Sequence, residues 1–135
     1  MFKTIERVLF LHEVDLFSLA QTEHLGELAA VCRPRQASAG ETLFRAGEPS
    51  KSLLIIVDGR VRLGDGEASP VLSRGEPLDE KAFLSDTFHA ADAQVIDDAL
   101  LLEISFEDFK DVLTAEPELG LALLQYAVRR NLGSA

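Results

Sequence analysis

Short apolar runs cut by glycine-bearing turns fill the middle of this chain, from Arg35 to Ile104, and few folds tolerate that pattern. Ser52–Val57 (SLLIIV) is strand-length and almost wholly apolar, which predicts a buried strand. Asp58-Gly59 then predicts a hairpin turn into Arg60–Leu63. Gly40 precedes Thr42-Leu43-Phe44, Gly47-Glu48-Pro49 marks a turn, and Gly64-Asp65-Gly66 turns into Pro70–Ser73. The pattern breaks between Pro77 and Ala91. It resumes at Ala93–Ile96 and, after a turn at Asp97-Asp98, at Ala99–Ile104. About eight short strands with such punctuation predict a mainly β fold, a jelly-roll barrel of the double-stranded β-helix type.

Helical spacing brackets this region. Thr4 predicts a cap for a helix over Ile5–His12, with Ile5, Val8, Leu9 and Leu11 or His12 as its apolar stripe. After an irregular Asp15-Leu16-Phe17, Thr22 caps a second helix with Leu25, Leu28, Ala29 and Cys32 on one face, ended by Pro34. Downstream, Ser105 with Asp108 reads as a helix start, and Phe106, Phe109, Val112 and Leu113 form the face. Pro117 suits the first position of a last helix to about Leu132. The expected organisation is a single domain over 1–135, with helices at 4–33, the barrel at 35–104 and C-terminal helices at 105–132.

Composition narrows the function. The formal charge is −10 over 135 residues, and residues 68–135 carry 13 acidic against 5 basic side chains. That balance argues against a nucleic-acid backbone or an anionic membrane surface as partner. No apolar run reaches the length of a bilayer span, and the N-terminal segment lacks the features of a secretory signal. One cysteine, Cys32, forms no internal disulfide or structural zinc site, so a cytoplasmic, reducing setting is expected, with Cys32 as a core residue. Phosphate-loop, nucleophile-elbow and metalloprotease motifs are missing. The histidines at 12, 24 and 89 are far apart, and the H-x-H pair of a metal-dependent cupin is absent. No catalytic or metal-ligating residue is assigned and no enzyme is expected; a cupin-like barrel enzyme is a distant alternative.

Two stretches carry a more specific signal: Ala39–Val61 (AGETLFRAGEPSKSLLIIVDGRV), and Gly75–Leu84 (GEPLDEKAFL) followed by Ala90-Ala91. With VLFLHEVDLF at the start and FEDFKDVLTAEPEL near the end, they resemble the cyclic-nucleotide-binding domain family, which includes the catabolite activator and protein kinase A regulatory subunit domains. The resemblance implies that the second stretch is a phosphate-binding cassette. In it a helix start and an arginine hold the phosphate, and a glutamate takes the ribose hydroxyl. The family pattern is Gly-Glu-(Leu/Met)-Ala followed by Pro-Arg-x-Ala-Thr. Laid on this chain, the candidate cassette is Asp79, Glu80, Lys81, Ala82, His89, Ala90 and Ala91. Glu80 and Ala82 match, Asp79 replaces the glycine, Phe88-His89 replaces proline-arginine, Ala91 keeps the small residue, and Asp92 replaces the threonine. An arginine–phosphate bond contributes roughly 1.5–3 kcal/mol. Its loss, with Asp79 added, predicts binding of cyclic AMP or cyclic GMP weakened by roughly 10²–10⁴-fold. Lys81 is expected in solvent, and Asp86, Asp92, Asp97 and Asp98 as a solvated rim.

The expected role is therefore a regulatory sensor or interaction module with weak or lost nucleotide binding and no cofactor; the alternative is a working cyclic AMP or cyclic GMP sensor. No effector segment follows Leu132, so the module is expected to be part of a larger protein or to bind one. The last helix supplies the means. Leu119, Ala122, Leu123 and Tyr126 form one stripe, and Leu121, Leu124 and Val128 a second on another side. Either the preceding helix covers the second stripe, or it joins a homodimer or a host domain.

Overall fold

Two long strands organise the central part of the computed structural model, which describes residues 3–134, with side chains as far as Asn131. Met1, Phe2 and Ala135 lie outside the described residues. The chain divides into two compact units, Arg33–Phe106 and the helical segments that precede and follow it in sequence. In the first unit, β3 (Ser52–Leu63) runs antiparallel to β6 (Ala93–Ser105), with Leu53 opposite Ile104 and Ile56 opposite Leu101. β1 (Arg33–Ala37) and β2 (Thr42–Phe44) pair with β6, while β4 (Val71–Leu72) and β5 (Pro77–Leu78) pair with β3.

The apolar run SLLIIV has a simple cause. Leu54, Ile56, Val61, Leu78, Val95 and Leu101 form a core on one face of the strands. Leu53, Ile55, Leu102 and Ile104 alternate with them and are equally buried. A strand covered on both faces has no polar positions to spare.

Two expected turns are not turns. Asp58-Gly59 lies inside β3, where the register against β6 shifts at a bulge, and Asp97-Asp98 lies inside β6. Asp-Gly supplies the left-handed glycine that a bulge needs as readily as a hairpin does, and Gly59 has φ 96°. Asp97 faces Arg60 across the pair and hydrogen-bonds it, and Asp98 accepts the Ala39 N–H at 2.8 Å. One acid is a cross-strand partner and the other holds the backbone just past the end of β1. The mainly β, jelly-roll-like architecture holds, but with six strands among the described residues in place of about eight and a sheet that is not closed. The sheet also starts earlier than expected: β1 includes Pro34, tolerated because β1 ends the strand order β1-β6-β3-β4.

In the second unit, α1 (Thr4–Glu13) buries Phe10 and Leu11, whereas Ile5 and Leu9 are exposed. The buried face follows Arg7, Phe10, Leu11 and Val14, a stripe that the charge of Arg7 hides in the sequence; its guanidinium donates to the Cys32 carbonyl at 2.9 Å. Thr4 and Thr22 are the first helical residues of α1 and α2 (Thr22–Val31), with Lys3 and Gln21 at the caps. The expected α2 stripe is buried in full, Cys32 included. Burial pushes the Cys32 thiol up to about 12, so it is an unreactive core residue at neutral pH.

Asp15–Phe17 is a single 3₁₀ turn, and α4 (Phe106–Ala115) buries Phe109 and Val112. The last helix, α5 (Pro117–Ser134), begins at the expected proline. His24 of α2 meets Glu116, at the corner before α5, at 3.2 Å. Leu119, Ala122 and Leu123 of α5 are buried, but Leu121, Leu124 and Val128 are 52%, 60% and 48% exposed. The preceding helix does not cover the second stripe.

Candidate functional site

The pause in the strand pattern after β5 is a short helix, α3 (Glu80–Ser85). Its Ala82 and Phe83 are buried, and Phe83 meets Phe106 edge-on at 5.7 Å, which anchors the helix in its unit. Both ends are set by aspartates in the left-handed region, Asp79 before it and Asp86 after it, each at φ 55°. Aspartate is among the few side chains that visit this region. The position where the family pattern has glycine therefore keeps a glycine-like backbone while carrying a carboxylate.

That carboxylate is not in solvent. Asp79 Oδ2 lies 2.9 Å from His89 Nδ1, and the two side chains are 16% and 4% exposed. A carboxylate oxygen only accepts, so Nδ1 carries the hydrogen. The His89 ring stacks on Phe44, with centroids 3.6 Å apart and planes within 8°. Its backbone is held on both sides: the His89 N–H donates to the Glu48 carbonyl at 2.9 Å, and the Gly47 N–H donates to the His89 carbonyl at 2.8 Å. Sequence reasoning singled out Asp79 and His89 separately as departures from one pattern; the structure makes them partners. Phe44 was missed, because a strand phenylalanine reads as ordinary core.

The other predicted residues gather around this pair unevenly. Glu80 is half-buried at the first position of α3 and Ala82 is buried beneath it, whereas Lys81 points to solvent as expected. Ala90 is exposed and Ala91 half-buried. The expected acidic rim is only partly free. Asp92 Oδ1 accepts the Ala46 N–H at 2.7 Å, and the Arg60 guanidinium beside Asp97 holds that carboxyl below the usual carboxylate range. A separate cleft of about 570 Å3, lined by Gln36, Ser38, Asp58 and Asp98 among others, contains no cassette residue and no cationic group. Among the described residues no group of histidine, cysteine and carboxylate side chains is arranged to hold a metal ion, and no helix is long and apolar enough to cross a membrane.

Chemically, the cassette offers a half-buried carboxylate suited to a hydroxyl and a buried imidazole already engaged by a second carboxylate. It offers no guanidinium.

Comparison with known proteins places this geometry. Residues 34–116 match the family model described as a cyclic nucleotide-binding domain. The chain is 27% identical over 121 residues to an uncharacterized NTE family protein of Mycobacterium tuberculosis, covering 88% of this chain and 21% of that protein. It is 28% identical over 120 residues to a cyclic nucleotide-gated potassium channel of Rhizobium etli, covering 89% of this chain and 34% of the channel. The chain thus spans a fifth to a third of these curated relatives. Among solved structures, the N-terminal domain of a transcriptional regulator from Streptomyces coelicolor superimposes with a TM-score of 0.83 at 24% identity, covering 93% of this chain and 92% of that one. The family match spans both the long strands and the cassette helix, and on it the chain belongs to the cyclic nucleotide-binding domain family.

Proposed function

We propose that this chain is a regulatory sensor or interaction module of the cyclic-nucleotide-binding fold in which nucleotide binding is weakened. The observation that supports weakening is His89, buried where the family pattern has arginine and without a guanidinium to fork onto a phosphate. Glu80 and Ala82 keep the ribose end of the pattern, which favours residual binding over none. The ligand of this reading is cyclic AMP or cyclic GMP, with no cofactor, catalysis or nucleic acid, and the setting is cytoplasmic. Calorimetric titration of the wild-type chain with each nucleotide is expected to give a dissociation constant no tighter than about 10 μM. Sub-micromolar affinity for either would overturn the weakening and leave the working sensor.

The output surface in this reading is the exposed stripe of α5. Leu121, Leu124 and Val128 give an apolar face to a second copy or to a neighbouring domain of a longer protein, as the greater length of the relatives suggests. Sedimentation at tens of micromolar is expected to show a dimer, and Leu121→Glu with Leu124→Glu a monomer. A wild-type monomer whose charged variants keep its solubility and stability counts against the contact.

A further inference from the structure

The two departures from the cassette pattern meet each other, and we infer that the Asp79 carboxylate is an internal stand-in for the ligand phosphate: the anion that the side chain at position 89 holds when no nucleotide is present. The inference deepens the proposed function and rests on its placement of Asp79 and His89 in the cassette.

Three features support it. The first is the exchange of roles. Where the pattern has a glycine to admit an outside anion and a cation to bind it, this chain has an anion and an imidazole donor 2.9 Å apart. The second is the backbone. Asp79 keeps the left-handed conformation at φ 55°, which glycine would adopt freely, and there its side chain reaches His89. The third is confinement. Stacking on Phe44 and the backbone bonds to Gly47 and Glu48 fix the ring, so it cannot swing from Asp79 to an incoming phosphate without breaking packing.

The consequence concerns binding and regulation together. With Nδ1–H given to Asp79, a neutral His89 leaves only Nε2, an acceptor, and an acceptor repels phosphate oxygens. An added nucleotide therefore competes with a built-in partner. Without nucleotide, the bond already links Asp79 at the start of α3 to His89 in the segment after it. Neither substitution acts alone. An arginine placed at 89 opposite Asp79 would be captured by the same carboxylate.

The test has two arms on the intact chain. In the ligand-free protein near about pH 8, where histidine is ordinarily neutral, long-range proton–nitrogen NMR reports the imidazole tautomer. The expected result is an Nδ1–H tautomer for His89 with a slowly exchanging proton, lost in Asp79→Gly, a change that its backbone accepts. An Nε2–H tautomer in the wild type, or an unchanged spectrum in Asp79→Gly, overturns the inference. In the second arm, calorimetry with cyclic AMP compares His89→Arg in two backgrounds, and the gain in affinity is expected to be at least about threefold larger in Asp79→Gly than in the wild type. Any smaller difference between the two backgrounds overturns it. The first arm uses no nucleotide, so it stands or falls independently of the weak-binding reading; tight wild-type binding with the expected tautomer would fail only that reading.

Discussion

Asp79→Gly combined with His89→Arg is expected to tighten cyclic AMP binding at least about tenfold. The pair of changes removes the competing carboxylate and supplies a fork donor at once. The gain comes from charge-assisted bonds worth roughly 1.5–3 kcal/mol each, offset by the loss of the His89 stacking on Phe44. Arginine is longer than histidine and must enter a buried position, so part of the gain is spent on rearrangement around Phe44. In the proposed reading Glu80, at the first position of α3, takes the ribose hydroxyl and needs no change. A double variant that binds no better than wild type by calorimetry shows that the cassette itself is closed and that Glu80 only favours the start of its helix.

The second large effect is on stability. Gly59→Ala is expected to cost about 2–5 kcal/mol in urea unfolding, with a correspondingly lower thermal midpoint. Gly59 sits at φ 96° in the bulge of β3, and an added Cβ would lie 2.7 Å from both the Ala99 Cα and the Asp98 carbonyl oxygen. Those are backbone atoms of the paired strand, so relief requires moving β6 itself. Gly40→Ala is the control. Gly40 has φ 91° but nothing within 4 Å of its added Cβ, so it should cost only the backbone strain of about 1–2 kcal/mol. Equal losses at the two positions would mean that the close approach of β3 and β6 contributes nothing.

What the residues disclosed depended on how local the signal was. SLLIIV is legible because burial on both faces leaves no polar position in the strand. The second stripe of α5 is legible because helical spacing alone puts Leu121, Leu124 and Val128 together, but that the preceding helix leaves it exposed is a tertiary fact the spacing does not carry. Asp58-Gly59 misleads because a bulge and a hairpin make the same demand on glycine, and only the long-range register of β3 against β6 tells them apart. The strand count erred for that reason. In α1, an arginine on the buried face shifted the apparent stripe by a position, since charge is normally read as solvent-facing. The Asp79–His89 bond could not be read at all. It depends on a left-handed aspartate, on Phe44 from another strand, and on backbone bonds from Gly47 and Glu48. The available hint was chemical: two departures from one binding pattern, one an acid and the other a hydrogen-bond donor.

In the proposed reading the cassette is the nucleotide site, and its own carboxylate weakens binding. An amide-resolved NMR titration of the isotope-labelled wild-type chain with cyclic AMP tests location and strength together. The expected result is fast-exchange shifts of amides from Asp79 to Ser85 and near Ala91, half-complete only above about 10 μM, with His89 Nδ1–H still donating to Asp79 until those amides move. Slow-exchange shifts of these amides that saturate at one equivalent, or shifts confined to residues outside the cassette, would contradict it.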